Sequence, residues 1–526
     1  MSDLTRRGLL RGAVLGAVGT AVVRPGLADA SPPVPPAAPA TLPGSAAVET
    51  TSVAVEVNGT TETHTVDGDE RAVDFLRQRC GLKGTKESCG TGACGACTAL
   101  VDGVPHVTCL LPAVALAGHR VTTVEGLSAG VAAVGAMHAV QRAFLAKDAL
   151  QCGFCTPGFV VTASAFVDKW RAARGATAPD AATIAEALAG HVCRCGAYPA
   201  IRDAVAAACR GEHDGGTVEL VRPEGPEKVT GLALYTVDVR VDGLLEGRIL
   251  RSPHAHARLR SLDDSGARGV SGVRAVVRFV EDGGMVRYAG QEIAAVAAVD
   301  RRTAERAVAL LVPDYDILTA VTSMAAARAE GAPVVYEEGD DRAAPSAAEG
   351  PRASAPLEGN LRGPMSSALF SAPKQGRDGV DEAKRSGDEA HGTWSTGVQV
   401  HAALEPHAAI VRWTSKREAE VWASTQSAQF LAEDMAEYYD TNARSIMVHA
   451  MNVGGAFGAK VGLQMETRAA ADLARAAAAP VRVVLDRVEE LTVGGHRPAQ
   501  EVNVAVGLSS RGDLLGIVHE AYGDSG

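Results

Sequence analysis

The spacing of the cysteines constrains this chain more than any other feature. Eight of the ten fall into two groups: Cys89-x4-Cys94-x2-Cys97 with Cys109 after eleven intervening residues, then Cys152-x2-Cys155 with Cys193-x-Cys195. The first is the plant-type ferredoxin spacing, in which a glycine-rich loop wraps one [2Fe-2S] cluster and a later strand supplies the fourth thiolate. Gly90, Gly92 and Gly95 between these ligands let the backbone turn N–H groups toward the sulfurs. Two zinc ions, each held by four thiolates, and structural disulfides are the competing readings. The x4 then x2 spacing is the iron–sulfur one. Cys80 and Cys209, outside the groups, read as small buried hydrophobes.

The segments around the cysteines agree with this. Thr51 to Val57 alternates apolar and polar residues as a strand does, then breaks at the hairpin signal Asn58-Gly59. A small mixed sheet with one helix is predicted over residues 50–125, a β-grasp ferredoxin-like domain. Gln151-Cys152-Gly153-Phe154-Cys155-Thr156-Pro157-Gly158 precedes an apolar helical run, with Pro157 suited to a first turn, and Cys193-Arg194-Cys195 precedes another helix ending near Cys209. Both ligand pairs thus fall at helix N-termini, where partial positive charge stabilises an anionic cluster. A four-helix [2Fe-2S] bundle is predicted over residues 130–212.

At 526 residues the chain is too long for one core, and three or four domains at roughly 150 residues each are expected. Its 62 acidic against 51 basic residues give a net charge of −11, and no basic run carries interleaved aromatics, which argues against nucleic acid as a partner. Residues 1–30 read as a twin-arginine signal peptide: Arg6-Arg7, a weakly apolar run from Gly12 to Val23, and Ala28-Asp29-Ala30 as the cleavage signal. That run falls well short of the roughly 20 residues needed to cross a bilayer, so no membrane span is expected in the mature chain. The expected location is periplasmic or extracellular. Residues 31–49 are a Pro/Ala-rich spacer. Twin-arginine substrates cross the membrane folded, so thiolates can take up iron before meeting an oxidising compartment.

The stretch from Gly84-Thr85-Lys86-Glu87-Ser88-Cys89-Gly90 to Cys97-Thr98, together with the Gln151–Gly158 and Cys193–Cys195 motifs, resembles the iron–sulfur subunit of the xanthine dehydrogenase and aldehyde oxidase family of molybdenum hydroxylases. The resemblance implies two [2Fe-2S] clusters. The one in the helical domain would lie beside a molybdenum-pyranopterin (Mo-molybdopterin or its cytosine dinucleotide), approached by Gln151 and Cys195. Past a junction near Gly215, Lys228-Val229-Thr230-Gly231, Gly247 to Arg258 and Tyr288 to Val296 resemble the N-terminal α/β domain of the molybdenum subunit, assigned to residues 222–325. His254 and His256 are given no ligand role.

Residues 338–390, with little periodicity, read as a linker or long loop. Regular pattern returns over 391–526. A strand from Ala419 to Ala423 leads through Ser424-Thr425-Gln426 to a helix, and a strand from Ile446 to Met451 leads through Gly454-Gly455-Ala456-Phe457-Gly458-Ala459-Lys460 to another. Loops between strand and helix are where open α/β structures bind ligands, although a glycine-rich loop alone is equally a tight turn. By resemblance, Gln426 would hydrogen-bond an oxo or sulfido ligand on molybdenum. Gly455, Ala456, Phe457 and Gly458 would sit beside the metal and cofactor, and Leu404-Glu405-Pro406-His407 is a third motif.

The expected architecture is multidomain α+β: the β-grasp domain, the helical bundle, then α/β molybdopterin-binding domains, the last incomplete over 391–526. The expected function is an exported molybdenum hydroxylase, oxidising aldehydes or N-heterocycles with water-derived oxygen. Electrons would pass from molybdenum through both clusters to an external acceptor, a flavoprotein subunit or a periplasmic carrier. Ala456 and Ala459 replace glycines of the commonest loop form. Val461 stands where purine-oxidising members carry a glutamate, which favours aldehydes or other less polar small molecules as substrate. No flavin domain separates the iron–sulfur and molybdenum parts. The family's general-base glutamate has no counterpart here, so no catalytic base is assigned, and a second polypeptide completing the molybdenum domain is expected. The alternative is an iron–sulfur electron-transfer protein with a vestigial, cofactor-free molybdenum domain.

Overall fold

The computed structural model describes residues 49–336, 357–363, 373–386 and 388–524. The signal peptide, the spacer up to residue 48 and much of the 338–390 segment lie outside the described residues.

The first sheet comprises β1 (Thr50–Val57), β2 (Thr60–Asp67), β3 (Thr98–Val101), β4 (Val104–Val107) and β5 (Arg120–Thr122), in the order β2-β1-β5-β3-β4. β1 and β2 pair antiparallel through a two-residue turn, with Asn58 and Gly59 at φ 49° and 84°, as a type I′ hairpin requires. β1 pairs parallel with β5, which makes the sheet mixed. Val53, Val55 and Val57 pack on Phe75 and Leu76 of a short helix. Its second half, Phe75–Arg79, is π-helical.

The bundle contains α1 (Ala139–Ala146), α2 (Thr156–Arg174), α3 (Ala181–Ala187) and α4 (Tyr198–Arg210). α2 and α4 each carry a proline in the first turn, where its missing N–H costs nothing. Val140, Phe144, Phe159, Ile201 and Val205 form its core, which runs on without a break into Ala96 and Leu100 of the first domain and Tyr235 and Leu404 of the third.

The remaining chain supplies β6 (Leu245–Arg251), β7 (Val273–Arg278), β8 (Glu292–Ala298), α5 (Pro373–Ser386), β9 (Glu389–Thr396), β10 (Ala408–Trp413), β11 (Ala419–Ala423), α6 (Ala428–Tyr438), β12 (Ile446–His449), α7 (Met465–Ala477), β13 (Val481–Val484), β14 (Gln500–Leu508) and β15 (Leu514–Gly523). Seven strands form one sheet ordered β12-β11-β10-β13-β6-β8-β7. The segments 222–325 and 391–526 therefore share a sheet, joined where β13 pairs parallel with β6. α7 lies across it on Ala469, Ala470, Leu473 and Ala474, side chains small enough for close approach.

Residues 373–386, expected within a linker, instead form α5, which packs on β14 and β15. Gly376, Gly379, Val380 and Ala383 make a smooth face at helical spacing. A Cβ at Gly379 would lie 2.1 Å from the Leu515 carbonyl oxygen, so the helix rests against strand backbone. Among the described residues no helix is long and apolar enough to cross a membrane.

Candidate iron-sulfur and molybdenum-cofactor site

All ten cysteines are free thiols, so the disulfide reading fails. Cys89, Cys94 and Cys97 lie on the loop before β3, and Cys109 follows β4. Cys94, Cys97 and Cys109 are buried while Cys89 is partly exposed. Main-chain amides point at the sulfurs: Thr91 N–H donates to Cys89 Sγ at 3.4 Å, and the amides of Ala96 and Gly92 reach Cys94 and Cys109. Gly95 has φ +72°, and a Cβ there would strike His191 Nδ1 at 2.2 Å, so this turn accepts glycine alone.

The thiols share protons within each group. A hydrogen bond from Cys97 pulls the Cys109 thiol down to about 6, while the same bond and burial drive Cys97 up. In the second group, Cys155 and Cys195 donate to Cys193 and pull it down to about 2. Cys155 and Cys195 themselves are pushed up. The Ala197 amide at the start of α4 donates to Cys193 Sγ at 3.4 Å, and the Phe154 amide reaches Cys152. Two sets of four converging thiols lined with amide donors fit anionic iron–sulfur clusters.

The molybdenum-type loops stand beside the second group. Gln426, after β11, accepts at Oε1 from the Gly458 N–H at 2.9 Å, and its own N–H donates to the Lys460 carbonyl at 2.8 Å. Phe457 adopts φ 55°, a left-handed conformation costing an aromatic residue about 1–3 kcal/mol. Its ring is 40% exposed rather than buried in the core. The guanidinium of Arg194, between two thiols of the second group, lies 4.8 Å from that ring, and Arg194 Nε donates to the His401 carbonyl at 2.7 Å. Phe154 packs so closely on Gly454 that a Cβ there would come within 2.7 Å of its ring. Phe457 thus meets the Cys193–Cys195 turn through Arg194, Gln426 is fastened to Gly458 of the same loop, and Ala456 is buried beneath. Gln151 is exposed at the rim, its carbonyl accepting from Lys228 Nζ at 3.1 Å. Among the described residues no hydrogen bond joins it to the loops. The exposed Gln426 side chain, the open Phe457 ring and positive-φ backbone at Gly455 and Gly458 leave polar donors and a flat face available to a pterin, so the residues fit the cofactor.

The third motif braces these loops from below. Glu405 is fully buried and accepts at Oε1 from the Thr236 N–H at 3.2 Å, and at Oε2 from Ser424 Oγ at 2.8 Å and the Gly454 N–H at 2.6 Å. Burial pushes its carboxyl upward against the opposing pull of Lys460. Lys460 Nζ donates to the Glu405 carbonyl at 2.8 Å and Ser424 Oγ at 2.7 Å. His407 meets Glu490 at Nδ1 (2.8 Å) and the Ala459 carbonyl at Nε2 (3.1 Å). Both partners accept, so the ring is an imidazolium. Burial opposes that charge, and the bond to Glu490 outweighs it.

Several connecting residues escaped the sequence reading. Asp238 receives Arg77 at 2.7 Å and Lys86 at 2.6 Å, all three buried. Arg487 donates to Ser88 Oγ at 3.1 Å and the Ala403 carbonyl at 2.9 Å. The Val192 N–H donates to the Cys94 carbonyl at 3.0 Å, linking the two thiol groups through one hydrogen bond. Lys86 and Arg194 lie inside recognised motifs, which was the available signal; Asp238 and Arg487 carried none. His256 Nδ1 sits 2.7 Å from the Thr319 carbonyl, a structural role.

The fold and the thiol loops define an iron–sulfur oxidoreductase with an adjoining molybdopterin-type domain. Family models agree: a 2Fe-2S iron-sulfur cluster binding domain matches residues 55–114, a [2Fe-2S] binding domain residues 123–206, and a molybdopterin cofactor-binding domain residues 367–526. The 6-hydroxypseudooxynicotine dehydrogenase complex subunit beta of Paenarthrobacter nicotinovorans is 39% identical over 161 residues, 30% of this chain and 95% of that protein. An aldehyde oxidoreductase of Megalodesulfovibrio gigas is 26% identical over 496 residues, 89% of this chain and 53% of that one. The solved aldehyde oxidoreductase from Desulfovibrio gigas superposes with a TM-score of 0.75 at 23% identity, covering 90% of this chain and 54% of that chain. The chain belongs to the molybdenum hydroxylase family, that of xanthine dehydrogenase and aldehyde oxidase. It spans about half the length of the aldehyde oxidoreductases it matches.

Proposed function

We propose that this chain forms the electron-transfer part and first molybdenum lobe of an exported hydroxylase, which oxidises aldehydes or N-heterocycles with water-derived oxygen. The observation that carries this reading is the seating of Arg194 and Phe154, from the second thiol group, on Phe457 and Gly454 of the glycine-rich loop. Such contact has a purpose when electrons cross it. When bound, the molybdenum cofactor supplies oxygen insertion and accepts two electrons. Gln426, oriented by the Gly458 amide, would offer its side-chain amide to the bound cofactor, and Phe457 would limit the substrate's approach. Cys152, Cys155, Cys193 and Cys195 would hold the nearer [2Fe-2S] cluster. Cys89, Cys94, Cys97 and Cys109 would hold the farther one, with Cys89 at the surface as the exit to a flavoprotein or periplasmic carrier. Val461 offers no hydrogen bond to a purine edge, and relatives named for nicotine and aldehyde oxidation support a small aldehyde or N-heterocycle as substrate. Several relatives are named as subunits of complexes, which supports partner chains for this one.

The test is to purify the complex from cells making the cofactor. About four Fe and one Mo per chain are expected, with ¹⁸O from labelled water in the oxidised product; iron without molybdenum overturns the hydroxylase reading in favour of a plain electron carrier. Export is tested by Arg6→Lys with Arg7→Lys, which should retain the protein in the cytoplasm.

A further inference from the structure

We propose that Glu62, His64 and Cys80 form a binding site for one zinc-class divalent cation on the ferredoxin-like domain, independent of the eight cluster thiols. One carboxylate oxygen, one imidazole nitrogen and the Cys80 sulfur all lie within 4.8 Å of one another. All three residues are partly buried, which limits competition from bulk water while leaving a path for an ion.

The placement follows from the backbone. Glu62 and His64 are two apart on β2 and so share a face of the sheet. Cys80 is delivered opposite them by the π-helical turn: its N–H bonds the Phe75 carbonyl five residues back, widening the helix end so that the thiol reaches over β2. Widened turns of this kind concentrate at functional positions. The Phe75 ring, edge-on at 5.2 Å and 85°, fixes the imidazole plane.

The donor chemistry is that of zinc. Imidazole, thiolate and carboxylate are its three ligand types, and one thiolate with one carboxylate neutralises a divalent charge. In the bare site His64 Nε2 and Glu62 Oε2 share a proton at 2.7 Å and Cys80 is a free thiol; the cation takes the shared proton's place, and the Cys80 thiol gives its own proton to water as the metal–sulfur bond forms. The nearby Glu70 is occupied by Arg79 at 2.7 Å and does not supply a fourth ligand. Three protein ligands therefore leave one position for water, and the ion ties the β1–β2 hairpin to the helix end.

The full chain with its clusters intact is dialysed against micromolar free zinc, then examined by metal analysis and by X-ray absorption at the zinc edge, which iron and molybdenum do not disturb. The expected result is about one zinc per chain with one sulfur at ~2.3 Å and nitrogen or oxygen at ~2.0 Å. Cys80→Ser and Glu62→Gln should each weaken binding at least about tenfold with iron content unchanged. If Cys80→Ser loses iron through misfolding, the partly exposed Glu62→Gln decides. No bound zinc, an all-sulfur environment, or variants that bind as the wild type does would each overturn the proposal.

Discussion

Lys460 has no solvent to receive its charge; its ammonium rests on the Glu405 carbonyl and Ser424, 3.8 Å from the Glu405 carboxylate, with both side chains fully buried. Lys460→Met should therefore leave an uncompensated buried carboxylate and cost about 3–5 kcal/mol, read as a lowered denaturant midpoint. Because Glu405 also holds the Gly454 amide, the same variant should lose molybdenum before iron. Glu87 carries the acid sensitivity. Burial raises its carboxyl, but Arg301 and Arg71 overcome this and hold it at about 2 against an ordinary 4.5. Its folded value is depressed, so its stabilisation is complete above about 4.5 and is lost as pH falls through about 2. Glu87→Gln should be less stable near neutrality and should flatten the decline over that acid window, measured by denaturant unfolding across pH. At this scale the cysteine ligand candidates stand out because their spacing is written locally, and Gln426 only because its loop resembles a family motif. Asp238 and Arg487 do not, since their partners lie 152 residues (Lys86) and 399 residues (Ser88) away in the chain.

Among the elements, α2 begins in backbone contact with the ferredoxin-like loop. A Cβ at Gly158 would lie 2.2 Å from the Gly95 carbonyl oxygen, with backbone on both sides. Alanine in a helix ordinarily improves on glycine by about 1 kcal/mol. Here the steric term wins, and Gly158→Ala should destabilise by about 1–3 kcal/mol and reduce iron per chain, measured by metal analysis and thermal unfolding. The hairpin at Asn58-Gly59 and the prolines opening helices could be read from sequence because each acts on its own turn. α5 could not. Its packing face is built on Gly376 and Gly379, residues that signal loops, and only the strand backbone at Leu515 and Ile517 explains them. The joining of β13 to β6 was equally hidden, because parallel pairing across more than 200 residues leaves no local mark.

The whole molecule is held together by one apolar core that runs through three domains, and a few buried polar ties pin the domains across it. Asp238→Asn should leave Lys86 and Arg77 buried without a counter-charge and cost about 3–5 kcal/mol. With the continuous apolar core still joining the domains, the loss should appear as a lowered temperature of a single calorimetric transition. Those ties have a consequence for the exposed junction at residues 215–221. It looks like a boundary, yet Lys228 grips Gln151, Tyr235 Oη donates to the Cys152 carbonyl at 2.7 Å, and Asp238 is locked to Arg77, all from beyond it. A protease that nicks the chain there would produce two pieces that still elute together, because the severed strap is not what fastens them.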